Sequence, residues 1–280
     1  MGKRLYHMLK NHNINIFNSD IELSLQIKKD IIELSFLSKA GHTPSALSMS
    51  DYLLALFKYH IKPLKDRILL GKPYGAQAYY SIFYRLGLIE FPFDKYCKDG
   101  LIEWSYIINQ SHPFIDFIDD TMGNALSVAC GMAFAEKNKT VFVNISDGYL
   151  QEGTAWEGVA FAGFHKLNNL ILAVDNNGMQ ATGFTKHILS LEPIVDKFRS
   201  FGWEVSRIDG INQNTLKTEI AEAMQNIRKE PLVFIFDTIK GCGVSFMENN
   251  AEWHYQVIDE KYMNLANQKL EIFYKEKYYA

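Results

Sequence analysis

The sequence is poor in cysteine and has no long apolar run. Its three cysteines, Cys97, Cys130 and Cys242, are too few and too scattered for a disulfide framework or a metal-binding cluster. Isolated thiols of this kind are typical of the reducing cytosol, so we expect a cytoplasmic protein. Because no apolar stretch approaches membrane-spanning length, no membrane association is expected.

The chain also lacks an excess of charge of either sign. Its 29 Lys and Arg residues and 32 Asp and Glu residues leave a formal net charge of -3. Nucleic-acid-binding domains normally carry a strongly basic surface, so no nucleic-acid partner is expected. Residues 1–15 include basic side chains but no apolar core, which does not fit a secretory signal.

Apolar residues are plentiful, at 48% of the chain, with 14% aromatic. This content is enough for one large α/β domain or two small ones, and we treat residues 1–280 as a single domain. Because helical and strand patterns alternate along the chain, we predict a doubly wound, mostly parallel sheet flanked by helices. The predicted helices are 20–39, 50–60, 126–136, 153–166, 193–200 and 214–228, and the predicted strands are 141–145, 170–174, 203–208 and 232–237.

Several boundaries carry their own signals. Ser19 or Asp20 is expected to cap the first helix, and Gly41 is expected to end it. Pro44 predicts that residues 41–49 form a loop, since proline interrupts a helix interior. The helix at 126–136 is apolar all round, which is typical of a buried supporting helix.

The stretch 141–180 has the pattern of a strand, a tight turn, a helix and a second strand. The first strand ends at Asp147 and the second at Asn177. Crossovers between parallel strands are almost always right-handed, so both residues are expected at the same carboxyl edge of the sheet. Ligands bind at that edge in open α/β sheets.

The residues at this edge suit a hard cation. Asp147 offers a carboxylate, Asn177 an amide oxygen and Met179 a backbone carbonyl, which together suit Mg²⁺ completed by phosphate oxygens and water. Gly148 has no Cβ, so a diphosphate can approach its backbone closely.

This stretch resembles the thiamine diphosphate motif of transketolases. The family pattern is Gly-Asp-Gly-x-Leu-Gln-Glu-Gly, then Ala-Gly-x-x-Lys-Leu-x-Asn-Leu and Asp-x-Asn, and Ser146 replaces its first glycine. The resemblance implies that Asp147, Asn177 and the Met179 carbonyl hold Mg²⁺, or Ca²⁺ or Mn²⁺ in its place. It also implies that Gly148 contacts the diphosphate, with the fold of the thiamine diphosphate-binding enzymes.

Further segments resemble the same family. Around His42, His112 and His254 the chain is similar to three histidine motifs, which implies catalytic roles for these residues. The resemblance implies that His42 lies in the substrate channel and that His254 contacts the diphosphate of the cofactor and the reacting sugar oxygen. Tyr74 stands where the family has a histidine that contacts cofactor and substrate, and Tyr255 stands where it has a glycine. These two replacements predict a pocket of altered shape and charge.

The remaining implied residues lie in two loops. Gly123 begins a segment similar to Gly-Gln-Gly-Leu-Ser, which implies that Met122 and Gly123 face the cofactor. The expected Thr-Gly-Ser is replaced here by residues 119–121. Glu152 corresponds to a member of an acidic cluster that couples the family's two active sites across a subunit interface.

The resemblance covers about residues 20–270 and stops before the family's pyrimidine and carboxyl-terminal domains. It therefore implies the amino-terminal subunit of a split transketolase, with those domains on a separate chain. We expect ketol transfer between a ketose donor and an aldose acceptor, each a standard or non-standard sugar or sugar phosphate. The chain is expected to form a homodimer alone and a heterotetramer with its partner.

Two other functions remain open at this point. One is an enzyme like the α-subunits of 2-oxo acid dehydrogenases, which share the metal motif but lack the Leu-Gln-Glu-Gly and Lys-Leu-x-Asn-Leu pieces; release of CO₂ from a 2-oxo acid would favour it. The other is a non-catalytic paralogue that binds a partner, which failure to bind thiamine diphosphate would favour.

Overall fold

The structure is a computed structural model that describes residues 17–98, 112–225 and 228–279. Within these residues, six strands form one sheet in the order β2-β1-β3-β4-β6-β5. All paired strands run parallel, which confirms the predicted doubly wound α/β fold. The strands are β1 Arg67–Leu70, β2 Phe117–Ile118, β3 Val141–Ser146, β4 Leu170–Asn176, β5 Glu204–Asp209 and β6 Leu232–Asp237.

Helices cover both faces of the sheet. They are α1 Asp20–Ser38, α2 Thr43–Ala55, α3 Ala76–Arg85, α4 Ala125–Ala135, α5 Gly153–Phe164, α6 Thr185–Ile188, α7 Ile194–Ser200, α8 Leu216–Gln225 and α9 Glu260–Tyr278, with a π-helical turn at Leu56–His60 and 3₁₀ turns at Phe93–Lys95, Gly148–Gln151 and Ala251–His254. The predicted helix 214–228 is observed as α8, and residues 226–227 lie outside the described residues. Among the described helices, none is both long and apolar enough to cross a bilayer.

The two faces of the sheet bury separate apolar cores. Side chains alternate along each strand, so Phe142 and Val143 of β3 point in opposite directions. Phe142 joins the core under α1, α2, α3 and α9. Val143 joins the core under α4, α5 and α7. The four inner strands β1, β3, β4 and β6 are buried on both sides, as expected for a parallel sheet, and the edge strands β2 and β5 are partly exposed.

Two predicted boundaries near the start of the chain are wrong. Residues 43–49 are helical rather than a loop, because Pro44 lies in the first turn of α2, where its missing N–H costs no hydrogen bond. The first helix ends at Ser38, and Lys39, rather than Gly41, takes the left-handed conformation that ends it. The predicted cap is confirmed, since Ser19 Oγ accepts a hydrogen bond from Glu22 N at 3.2 Å.

The prediction of a buried supporting helix at 126–136 holds for one side of the helix only. Only one side of α4 packs on the sheet, and Phe134 on the other side is 51% exposed. On the neighbouring α5, Phe161 and Phe164 are exposed as well. His165 packs against all three rings. These four residues form what we call the outer aromatic patch.

The central β3-α5-β4 unit forms as predicted. Ser146 of β3 pairs with Asp175 of β4 in parallel register. One residue further, the Asp147 backbone N–H donates to the Asp175 carbonyl at 3.0 Å. Asp147 and Asn177 therefore lie at the same carboxyl edge of the sheet.

Candidate active site

A cavity of about 300 Å³ opens at this carboxyl edge. Its floor contains the predicted metal and diphosphate residues, Asp147, Gly148, Asn177 and Met179. Other predicted residues, His42, Tyr74, Met122 and His254, also line it. The cavity thus gathers residues from segments that are far apart in the sequence.

Asp147 is a buried carboxylate whose described hydrogen-bond partners are neutral. Its Oδ1 accepts from the Gly148 N–H at 2.8 Å, and its Oδ2 accepts from Thr185 Oγ1 at 2.8 Å. Burial, with the nearby charge of Asp175, raises the pKa of Asp147 to about 6. A divalent cation at this position would offset the cost of burying the charge.

Asn177 is held by a hydrogen-bond network beneath the cavity. Its Nδ2 donates to Asp175 Oδ2 at 3.1 Å and to Ser48 Oγ at 3.3 Å. Its Oδ1 accepts from the Met179 N–H at 3.0 Å. Because the carboxylate takes the donor end of the amide, the oxygen end is directed away from Asp175.

Asp175 is the centre of that network and is fully buried. Ser48 Oγ donates to its Oδ2 at 2.7 Å, and Lys72 forms an ion pair with the same oxygen. Thr238 donates to the other oxygen. The sequence did not identify Ser48, Lys72 or Thr238 as site residues. Asp175 belongs to the Asp-x-Asn motif, but the sequence predicts only that it lies at the end of a strand.

Lys240 places a second ammonium group at the cavity. Its Nζ donates to the Gln180 carbonyl at 2.9 Å and to His254 Nδ1 at 2.8 Å, so both partners are neutral. Burial, with the nearby charge of Lys72, lowers the pKa of Lys240 to about 8. Lys240 begins the Lys-Gly-x-Gly motif, which was the signal that could have identified it.

His42 and His254 lie side by side. The His42 backbone N–H donates to the His254 carbonyl at 2.9 Å, and the ring centroids are 4.5 Å apart. Burial, with the charges of Lys240 and Lys72, lowers the pKa of His42 to about 4. Burial and Lys240 lower the pKa of His254 to about 3. Both rings are therefore neutral at pH 7.

These residues fit thiamine diphosphate with a divalent metal. Among the described residues there is no group of three His, Cys, Asp or Glu side chains that could hold a metal, so a metal here needs the Asn177 amide, a backbone carbonyl and oxygens of the ligand itself. Gln180 Nε2 is buried at the cavity and has no hydrogen-bond partner within the described part of the chain. This amide and the Lys240 ammonium are donors suited to a diphosphate.

Other predicted site residues lie away from the cavity lining. His112 is buried against Tyr80 and Phe114, with ring centroids 5.7 Å and 6.0 Å away. Glu152 is exposed at the start of α5. Gly123 is buried beside it, and its carbonyl accepts from Thr154 Oγ1 at 3.0 Å. Their roles stay predictions, and Ser111 of the His112 motif lies outside the described residues.

The structure is a parallel α/β domain with a cavity at the carboxyl edge of its sheet, and residues suited to a diphosphate and a divalent cation line that cavity. Residues 27–279 match the family described as the transketolase thiamine diphosphate binding domain. The chain belongs to this family.

Two curated relatives are matched over nearly their whole length. The chain is 31% identical over 271 residues to a 6-deoxy-6-sulfo-D-fructose transketolase subunit of Clostridium sp. (strain MSTE9), which covers 90% of this chain and 98% of that one. It is 32% identical over 262 residues to an apulose-4-phosphate transketolase subunit of Actinobacillus succinogenes, which covers 87% and 93% respectively.

Solved transketolases share the fold at lower identity. The Leishmania mexicana enzyme superimposes with a TM-score of 0.77 at 18% identity, over 93% of this chain and 46% of that one. The Campylobacter jejuni enzyme gives a TM-score of 0.75 at 22% identity, over 88% and 43%. The chain therefore spans less than half the length of these solved structures.

Proposed function

We propose that the chain is the amino-terminal subunit of a split transketolase that uses thiamine diphosphate and Mg²⁺. It transfers a two-carbon ketol unit from a ketose donor to an aldose acceptor. The family match supports the cofactor, and the two relatives named as transketolase subunits, both of similar length, support the split organisation. Their names refer to 6-deoxy-6-sulfo-D-fructose and to apulose-4-phosphate, which supports a non-standard sugar or sugar phosphate as substrate.

The floor of the cavity binds the metal and the diphosphate. Asp147, Asn177 and the Met179 carbonyl hold Mg²⁺, and Gly148 lets the diphosphate approach the backbone. Lys240 faces the same anion with an ammonium whose hydrogen-bond partners are neutral. When bound, thiamine diphosphate supplies a carbon acid whose conjugate base attacks a ketose carbonyl and accepts the electron pair released on bond cleavage.

The histidines hold and direct substrate protons. His42 and His254 are neutral at pH 7, so each ring has one N–H donor and one acceptor nitrogen. Nδ1 of His254 accepts from Lys240, so this ring offers its Nε2–H to a sugar hydroxyl group. A protonated, positively charged histidine buried at this position would incur a desolvation cost, which the two neutral rings avoid. Both residues therefore orient the donor sugar above the metal and diphosphate site.

The partner subunit completes the site. We propose that it carries the pyrimidine-binding domain and, within that domain, the carboxylate that activates the coenzyme. We assign no residue among the described cavity lining to that role. The outer aromatic patch is the surface on which we expect the partner to dock, because Phe161 is 42% and Phe164 is 82% exposed. Glu152, at the other end of α5, lies on the interface that we expect between two copies of this chain. The chain forms a homodimer alone and a heterotetramer with its partner.

The observation that carries this proposal is the juxtaposition of Asp147 and Asn177 at one cavity. Asp147→Ala removes the carboxylate that bridges metal and protein, so coenzyme binding is expected to be lost. Calorimetry with thiamine diphosphate and Mg²⁺, in the presence of the partner subunit, measures the loss. Asp196→Ala on α7 is the control, because that carboxylate is exposed and lies outside the cavity lining.

Equal affinities for wild type and Asp147→Ala would overturn the cofactor assignment. The split organisation is tested separately with hydroxypyruvate as donor and glycolaldehyde as acceptor. Ketose formation is expected only when both chains are present. Sustained turnover by this chain alone would overturn the requirement for a partner.

A further inference from the structure

Two zones of different chemistry line the cavity. The charged residues among the described lining residues are Lys72, Asp147 and Lys240, and all three are at most 6% exposed. The accessible side chains are uncharged, since Tyr255 is 67% and Met122 is 37% exposed. A molecule that enters therefore passes an uncharged rim before it reaches the charged floor.

Two tyrosines of this rim enclose the His42 ring. Tyr74 stacks on it with centroids 5.3 Å apart and ring planes at 25°. Tyr255 meets it edge-on, with centroids 4.9 Å apart and planes at 85°. The three rings form a continuous surface that we call the aromatic wall.

The backbone holds the wall in place. A Cβ on Gly41 would lie 3.0 Å from the Tyr255 Cα, so the two loops touch at a position where only glycine fits without a shift. The Tyr74 hydroxyl donates to the Asp120 carbonyl, which ties its ring to the loop that carries Met122. The Tyr255 backbone and the Tyr74 ring are thus positioned before a ligand arrives, which lowers the entropy cost of binding against them.

We propose that Tyr74 and Tyr255 determine substrate specificity by stacking against the uncharged carbon and hydroxyl segment of the sugar beyond the reacting carbons. This inference rests on the proposed function and deepens it. The face of an aromatic ring carries negative electrostatic potential, so it attracts C–H groups and disfavours an anion placed against it. A phosphate or other anionic group on the substrate must therefore lie past the wall rather than on it.

The first test compares acceptors of different length on the enzyme with its partner, coenzyme and Mg²⁺. Tyr255→Ala is expected to lower kcat/KM for unphosphorylated D-ribose about tenfold, mainly through KM, because stacking is a binding contact that persists into the transition state. Glycolaldehyde has only one carbon beyond its reacting carbonyl carbon and lacks the longer segment that would stack on Tyr255, so its kcat/KM is expected to change little. Tyr255→Phe keeps the ring and is expected to match the wild type.

Tyr279→Ala is the matched control, since that tyrosine is 63% exposed and lies next to the end of α9. An equal loss for glycolaldehyde and D-ribose in Tyr255→Ala, or no loss for either, would overturn the proposal. Absence of any turnover in the wild type would instead contradict the proposed function.

A second test measures contact with the wall without relying on activity. Saturation-transfer NMR with D-ribose on the enzyme with its partner, coenzyme and Mg²⁺, without a ketose donor, measures the transfer of magnetisation from aromatic protons to the sugar. Transfer that falls at least threefold in Tyr255→Ala, and persists in Tyr255→Phe and Tyr279→Ala, supports stacking. Transfer that is absent in the wild type, or equal in all four proteins, overturns it.

Discussion

The ammonium group of Lys240 donates a hydrogen bond to Nδ1 of His254 at 2.8 Å. An ammonium has no acceptor site, so Nδ1 must be the unprotonated nitrogen and the neutral ring carries its proton on Nε2. His254 therefore has one tautomer and presents an N–H donor from the opposite side of its ring. This tautomer suits a residue that holds a sugar oxygen.

Removal of the lysine charge should change the titration of His254. Burial is the largest cause of its lowered pKa and Lys240 is the next, so Lys240→Met is expected to raise the pKa of His254 from about 3 by roughly one unit. NMR titration of the protein with labelled histidine measures this shift. Lys229→Met, at an exposed site away from the cavity, is the control. An unchanged His254 titration would show that the lysine charge does not act on the ring.

Gly148 tests the diphosphate contact apart from the metal. A Cβ at this position would meet Gln180 Cγ at 3.5 Å and nothing closer, so Gly148→Ala is expected to fold normally. A diphosphate that approaches the Gly148 backbone would clash with the new methyl group, and coenzyme affinity is expected to fall by about tenfold or more. Calorimetry gives the affinity and thermal unfolding gives the stability.

The control for this substitution is Gly153→Ala, where a Cβ would meet no atom within 4 Å. That variant is expected to keep both affinity and stability. If Gly148→Ala binds thiamine diphosphate as tightly as the wild type, the diphosphate does not lie against this backbone.

The sequence predicted the edge that carries the site but not the network beneath it. Asp147 and Asn177 follow consecutive strands of one crossover unit, so topology alone brings them together. Ser48, Lys72 and Asp175 come from three distant segments, and nothing in their local pattern indicates that they meet. Their partnership depends on tertiary packing, which periodicity does not encode.

The outer aromatic patch escapes sequence reasoning for a related reason. Helix α4 is apolar on all sides. In a monomeric protein such a helix is normally buried in the core, so the pattern predicts burial. The structure leaves Phe134 exposed. The same apolar pattern arises when a helix is covered by another chain, and sequence periodicity does not distinguish the two cases.

The buried ring of His112 should make stability depend on pH. Burial lowers its pKa to about 4 in the folded protein, from an ordinary value of 6.5. Between these values the unfolded chain binds a proton that the folded chain does not, so stability falls as pH decreases through this window. His112→Phe removes this difference in proton binding. The slope of the free energy of unfolding against pH is therefore expected to be smaller by up to about 1 kcal/mol per pH unit.

Urea unfolding of wild type and variant at several pH values between about 4.5 and 7 measures the difference in slope. His187→Phe, at an exposed position, is the matched control, and its slope is expected to follow that of the wild type. Parallel stability curves for His112→Phe and wild type would show that the ring is protonated equally in both states.

The outer aromatic patch should govern association with the partner subunit. Phe164 is 82% exposed in this chain, so Phe164→Ser removes little that stabilises the fold, and the free energy of unfolding is expected to change by less than about 0.5 kcal/mol. If the ring becomes buried between chains, its loss costs about 1.5–3 kcal/mol of association free energy, or roughly tenfold to a hundredfold in Kd. Sedimentation equilibrium with the partner measures this change.

Ile272→Ser on α9 is the control, because Ile272 is 49% exposed and its helix covers the opposite face of the sheet. Wild-type affinity in Phe164→Ser, with a weakened complex in Ile272→Ser, would place the interface on that opposite face and contradict the proposed docking surface.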